Sequence, residues 1–148
     1  MNILPLSFPI LFVVLWLLLL SGVSRIGGWH GLSKSFRAQS LGKGQRFNFA
    51  SGCMSDTLPI RYGGCLAVIV DDGGFYLTLW FALFKFRHPL LYIPWTAVSS
   101  VSSEYRFFIY NVDIKFKDHS NMIWIKGQAG KAVYASYLAQ LPAELAEA

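Results

Sequence analysis

The pattern of hydrophobic and polar positions divides the chain into one unbroken apolar run and a longer region of alternation. The run extends from Ile3 to Val23 (ILPLSFPILFVVLWLLLLSGV) and contains no charged side chain. At about 1.5 Å of rise per residue it forms a helix of roughly 30 Å, the thickness of the hydrocarbon core of a bilayer. We therefore predict a transmembrane helix over residues 1–23 that acts as a signal anchor. A cleaved signal peptide is the alternative, which the uncharged Met1-Asn2 and the lack of an A-x-A cleavage site disfavour.

After Arg46 the apolar residues recur at every second position, which is typical of β-strands with one buried face. The alternation is clearest from Arg106 to Phe116, and the side chains predicted to face the core there are Phe108, Tyr110, Val112, Ile114 and Phe116. A hairpin turn is predicted at Asp71-Asp72-Gly73-Gly74. Further strands are predicted at Gly64–Val70, Phe75–Ala82, Leu90–Ile93 and Met122–Lys126, with a turn at Lys117–Asn121 and Pro94 ending one strand.

An amphipathic helix is predicted from about Gln128 to Leu141, where Pro142 ends it. Its predicted apolar stripe consists of Tyr134, Tyr137, Leu138 and Leu141. Short antiparallel strands followed by one helix indicate a mainly β fold, a partly open antiparallel barrel closed by the C-terminal helix. This domain is expected to cover residues 47–142, with residues 143–148 as a tail.

Several residues of this region form motifs found together in one known superfold. They are Gly74, Tyr76, Leu77, Ile93, Pro94, Trp95, Val98 and Val101. The region from about Gly27 to Leu141 resembles the pleckstrin-homology (PH) superfold in its bacterial and GRAM-like forms, as found in small uncharacterised membrane-anchored bacterial proteins. The resemblance implies a binding or scaffolding module and not an enzyme. It transfers no functional residues, because ligand sites vary between members of a superfold.

The basic residues are concentrated next to the apolar run. Between the run and the β-region lie Arg25, Lys34, Arg37, Lys43 and Arg46, whereas the first acidic residue is Asp56. The positive-inside rule therefore predicts an inner-membrane protein with its N-terminus outside and its domain in the cytoplasm, the alternative being a periplasmic domain. From Phe47 onward basic and acidic residues balance, which argues against nucleic acid as a partner.

The basic segment, residues 24–46, has two open interpretations. Ile26, Trp29 and Phe36 fall near one helical face, as in an amphipathic helix on an anionic leaflet, whereas the many glycines favour a flexible linker. In Phe81–Arg87 aromatic and basic residues are interleaved, which indicates either a second lipid contact or, as we favour, a strand with core aromatics. The residues predicted to contact the membrane are Trp29, Lys34, Arg37, Lys85 and Arg87.

Candidate chemistry is sparse. Cys53 and Cys65 are centred on Pro59, in the expected turn of a first hairpin, so a disulfide is conceivable, although free thiols are favoured in the cytoplasm. His30, His88 and His119 are too widely separated to indicate a metal site. No catalytic residue and no cofactor site is predicted.

These features together predict a non-enzymatic, single-pass membrane-anchored interaction module. Its expected partners are the lipid bilayer and either a lipid headgroup or a protein at the membrane surface. The alternative is a structural accessory subunit of a larger membrane protein complex, whose helix packs against other helices.

Overall fold

The computed structural model describes residues 4–142, and it opens with a long apolar helix. This helix, α1 (Leu4–Ile26), contains a stretch, Ser7–Ile26, whose length and composition suffice to cross a membrane; a signal sequence has the same properties. The N-terminal apolar helix predicted from the sequence is thus confirmed, and it extends three residues beyond Val23. The predicted tail over residues 143–148 lies outside the described residues.

Seven antiparallel strands form one sheet that curves into a half-barrel. Their order across the sheet is β4-β3-β2-β1-β7-β6-β5. The strands are β1 (Gln45–Ser55), β2 (Pro59–Val70), β3 (Gly74–Leu79), β4 (Leu91–Pro94), β5 (Val98–Arg106), β6 (Ile109–Phe116) and β7 (Met122–Lys126). The mainly β class predicted from the alternation is therefore confirmed. The core lies on the concave side, where the inward residues of the strands meet two short helices.

The predicted turn after β2 is present because Asp71 provides its hydrogen bonds. One carboxylate oxygen, Oδ1, accepts from the backbone N–H of Gly73 at 3.0 Å and from that of Gly74 at 2.8 Å. The turn at Lys117–Asn121 is also confirmed, between β6 and β7. One predicted strand is wrong at its start, since residues 107 and 108 form a turn between β5 and β6. The side chain of Phe108 is therefore 98% exposed instead of facing the core.

The C-terminal helix is confirmed as α3 (Gly127–Gln140), but its buried stripe differs from the predicted one. Ala129, Gly130 and Val133 are buried against the sheet, and Tyr134 and Tyr137 cover the edge of the core. A Cβ at position 130 would lie 2.6 Å from the carbonyl oxygen of Ile125. Small residues therefore let the helix approach the sheet more closely than the larger residues of the predicted stripe would.

Part of the basic segment folds as a second helix, α2 (Trp29–Phe36), so the helical interpretation holds for these eight residues. Its apolar face, however, is buried inside the β-domain and not in lipid: Trp29 and Leu32 have no exposed surface. Only Gly27 and Gly28 separate α1 from α2, and Gly28 has a φ of 87°. The chain can turn this sharply because glycine adopts positive φ without a steric penalty.

Candidate functional site

The segment between β3 and β4, residues Trp80–Arg87, lies along α1; we call it the rim segment. The indole Nε1 of Trp16 donates a hydrogen bond of 3.2 Å to the carbonyl oxygen of Leu83, and the Trp16 ring packs on Phe84 with centroids 5.6 Å apart. Eight positions further along α1, the Ser24 hydroxyl donates to the carbonyl oxygen of Arg87 at 2.6 Å. The middle and the C-terminal end of the rim segment are therefore attached to the apolar helix.

The side chains of the rim segment point outward although many are apolar. Phe81 is 39% exposed, Leu83 63% and Phe86 42%, whereas Phe84 packs partly against the core. The favoured interpretation of this stretch as a strand with core aromatics is therefore wrong. Strand β3 ends at Leu79, and a single 3-10 turn, Ala82–Phe84, follows in place of a longer strand.

Two backbone hydrogen bonds lie within the rim segment, and a third joins it to His88. The N–H of Phe84 donates to the carbonyl of Phe81 at 3.1 Å, that of Lys85 to Ala82 at 3.2 Å, and that of His88 to Lys85 at 2.9 Å. Such internal bonding lowers the cost of removing backbone groups from water.

His88, the residue that follows the rim segment, belongs to a buried aromatic cluster. The His88 ring is 2% exposed and lies edge-on to the Trp29 indole, with centroids 5.1 Å apart. Trp29 in turn donates from Nε1 to the carbonyl oxygen of Pro89 at 2.9 Å. Burial lowers the pKa of His88, because the charged imidazolium loses its hydration. Burial likewise raises the pKa of the Tyr62 hydroxyl, which points at the same imidazole.

The residues predicted to touch the membrane fall into three groups. Trp29 is wholly buried in the domain, so its indole does not lie among headgroups. Lys85 and Arg87 are exposed on the rim segment, where the Arg87 guanidinium lies 5.7 Å from the centre of the Phe86 ring. Lys34 is exposed on α2 and Arg37 just after it. The backbone of Arg37 forms an isolated antiparallel β-bridge with Leu91 on the edge strand β4.

Cys53 and Cys65 are free thiols that do not face each other. The β1–β2 turn is centred on Thr57 and not on Pro59, so Cys53 pairs with Arg61 in the register. The expected cross-strand pair is therefore wrong, since position 65 lies four residues further along β2. Burial raises the pKa of each thiol, which keeps it in the protonated, less reactive form.

The described residues contain no group of three or more His, Cys, Asp or Glu side chains that could hold a metal ion. Two shallow surface depressions are present. The first is lined by residues 35–40 with Tyr76, Tyr92 and Pro94. The second is lined by residues 47–51, Ile109 and residues 126–129.

Fold and site together define a class: a seven-stranded antiparallel half-barrel with a C-terminal helix, joined directly to one apolar N-terminal helix. Comparison with known protein families, with curated proteins and with solved structures finds no match to this chain.

Proposed function

We propose that the chain is a non-enzymatic, membrane-anchored interaction module whose β-domain rests on the bilayer through the rim segment. Lys85 and Arg87 on that segment would meet lipid phosphates. The strand order and the closing helix support a PH-like domain, as the sequence motifs suggested. The observation that carries the proposal is the hydrogen bond between Trp16 and the carbonyl oxygen of Leu83.

The position of Trp16 within α1 determines where its contact with Leu83 would lie in a bilayer. Trp16 precedes Ile26, the last residue of the helix, by ten positions, or about 15 Å at 1.5 Å per residue. A helix needs roughly twenty residues to cross the hydrocarbon core. If the span ends near Ile26, the Trp16–Leu83 contact lies about 15 Å inside the hydrocarbon core. If a span of twenty residues begins at Leu4 and ends near Val23, the contact still lies seven positions, or about 10 Å, inside it. The rim segment reaches lipid in both cases.

The composition of the rim segment suits that position. Its outward apolar side chains, Phe81, Leu83 and Phe86, would face acyl chains, and the 3-10 turn at its centre forms two backbone hydrogen bonds within the segment. Lys85 and Arg87 have long aliphatic side chains, so their charged groups can extend to the lipid phosphates while the backbone lies deeper in the bilayer. Rings in the interface with cations at the phosphates form a common arrangement at membrane surfaces.

Contacts between α1 and the domain support a retained anchor over a cleaved signal peptide. Leu20 is 5% exposed and Ser24 is 1% exposed, because both pack against the β-domain. Cleavage after Val23 would remove Leu20 and Trp16 together with the contacts they make. With the basic residues on the domain side of the helix, the cytoplasmic orientation remains our proposal for the domain.

Depth-dependent quenching tests the proposal on the full chain. Cys53 and Cys65 are replaced by serine, Leu83→Cys is labelled with the environment-sensitive dye NBD, and the protein is placed in vesicles of phosphatidylcholine and phosphatidylglycerol. We expect blue-shifted emission that doxyl-labelled lipids quench. The matched control is Asp72→Cys, exposed in the turn at the opposite end of β3, which should emit as in water. Equal, unquenched emission at both positions would refute the proposal.

A second arm tests the role of the cations. Lys85→Glu with Arg87→Glu should remove or reverse any increase of the residue-83 signal with phosphatidylglycerol, because repulsion from anionic headgroups replaces attraction. The same pair of changes in purely zwitterionic vesicles serves as the control. A signal that responds to phosphatidylglycerol as before would show that these two residues do not bind headgroups.

A further inference from the structure

The hairpin tip, residues Arg106–Ile109 between β5 and β6, exposes two adjacent phenylalanines. Phe107 is 87% exposed and Phe108 is 98% exposed. Both have positive φ, 51° and 64°, and Arg106 pairs with Ile109 across the turn. Two central residues with positive φ define a type I′ turn, in which Asn-Gly is the preferred pair. Phenylalanine is an unfavourable choice here both for the backbone and for contact with water.

This choice of residues is not explained by the fold. A non-glycine residue in the left-handed region is less stable than one in the right-handed region, because its Cβ approaches the following carbonyl oxygen. Exposed phenylalanine also forgoes the stabilisation that burial of such a side chain provides. Backbone strain of this kind concentrates at functional positions, where surroundings outside the local turn compensate for it.

A continuous series of aromatic rings connects α1 to the region of the hairpin tip. Beyond the Trp16–Phe84 contact, Phe84 packs on Phe81 with centroids 5.5 Å apart, and Phe81 packs on Trp80 at 5.3 Å. Trp80 then packs on Phe49 at 4.7 Å, and Phe49 is 67% exposed.

The series of rings ends at a surface depression that the hairpin tip borders. Phe49 and Ile109 both line this depression, and Ile109 is 45% exposed. The rings that start at α1 therefore reach the depression beside the β5–β6 hairpin.

Basic side chains flank this end of the surface. Arg106 forms an ion pair of 3.0 Å with Glu104, and the Lys131 ammonium lies 5.5 Å from the centre of the Tyr110 ring. Lys126 lines the depression beside Ile109. Apolar rings with lysines beside them fit the boundary between acyl chains and anionic headgroups.

We infer that Phe107 and Phe108 insert into the same bilayer that α1 crosses and form a second apolar contact beyond the rim segment. The inference rests on the proposed function, because it requires the domain to lie on the membrane. Two contacts on separate elements would fix the domain against rotation about the axis of α1. The occupant is the acyl-headgroup boundary of the bilayer, because the ring series that starts at α1 reaches the depression beside the tip and lysines flank it.

The test again uses the full chain in vesicles, with NBD at Phe108→Cys in the background lacking Cys53 and Cys65. We expect blue-shifted emission and its loss with doxyl lipids, whereas Asp72→Cys stays water-like. A second variant, Phe107→Asn with NBD on Ile109→Cys, keeps the turn favourable and should show weaker quenching than Ile109→Cys alone. A label at position 108 that emits as in water overturns the inference.

The label at Leu83→Cys separates this failure from that of the proposed function. Quenching at position 83 without quenching at 108 would leave the rim contact intact and eliminate the insertion of the tip, which would then point to a protein partner. Absence of quenching at both positions would eliminate both proposals.

Discussion

The hydroxyl oxygen of Tyr62 lies 3.3 Å from Nε2 of His88, although the two residues are 26 positions apart. On the other side of the ring, Nδ1 of His88 lies 2.9 Å from the carbonyl oxygen of Phe86, which can only accept a hydrogen bond. The neutral imidazole therefore carries its proton on Nδ1 and accepts from the tyrosine at Nε2. The His88 ring therefore connects Tyr62, in the core of the barrel, to the backbone of the rim segment at Phe86.

Acid should weaken this arrangement. Burial lowers the pKa of His88 in the folded protein relative to the ordinary value of 6.5. In the window between the two values the unfolded chain binds more protons than the folded chain, so stability rises with pH there and is lost as the pH falls below 6.5. We expect the midpoint of thermal unfolding in detergent micelles to fall as the pH drops from 7 through this window.

His88→Asn is the matched variant for this measurement. The Asn amide can donate to the Phe86 carbonyl as Nδ1 does, but it does not titrate. The variant should be less stable than the natural chain at neutral pH and should lose part of the pH dependence. An unchanged slope of stability against pH would assign the effect to another group.

Gly28 should tolerate no side chain. A Cβ there would overlap the amide Nδ2 of Asn121 and lie 2.8 Å from Cβ of Asp56, and the φ of 87° is unfavourable for alanine. Gly28→Ala should reduce the free energy of unfolding by about 1–2 kcal/mol from backbone conformation alone, with a further loss from the overlap. Chemical unfolding in micelles measures the change.

Gly31, three residues later inside α2, provides the control. A Cβ at position 31 meets nothing within 4 Å. Gly31→Ala should therefore leave stability unchanged or raise it by up to about 1 kcal/mol, because alanine favours the helix more than glycine does. Similar effects of the two substitutions would contradict the close approach of Asn121 to the helix junction.

The hairpin tip should become more stable when its turn residues suit the backbone. Phe107→Asn with Phe108→Gly supplies the preferred type I′ pair and should raise the free energy of unfolding by about 1–2 kcal/mol. Phe107→Val with Phe108→Val keeps the tip apolar but puts β-branched residues at positive φ, so stability should fall. Thermal unfolding of both variants in micelles checks this, and a stabilised Val-Val variant would contradict the turn geometry.

The parts of the fold that follow local periodicity were predictable. The Asp71 turn, β7 and α3 appear within a residue or so of their expected places, because turn chemistry and apolar spacing are local properties. The β1–β2 register was not predictable in this way. A turn centred on Thr57 places Cys53 opposite Arg61, and the pairing becomes irregular only beyond it, between Phe47 and Gly52.

The candidate site was harder to predict because its contacts are distant in sequence. The apolar face of α2 was identified, but periodicity cannot tell whether such a face meets lipid or protein, and Trp29 meets the barrel. The turn at Phe107-Phe108 lacks every usual turn residue, so the alternation of β6 was extended through it. The rim segment did carry one signal in the sequence, because its aromatic residues are interleaved with Lys85 and Arg87.

The two-residue connection between α1 and α2 has a mechanical consequence. Gly27 lies so close to Ile60 that a Cβ there would be 2.8 Å from its Cγ1, and the next residue but one, Trp29, is locked in the barrel. A helix leans to match the thickness of its host membrane. If α1 crosses the membrane as we propose, a change in its tilt would therefore reorient the sheet as well, and the thickness of the membrane would set the direction in which the surface of the β-domain faces.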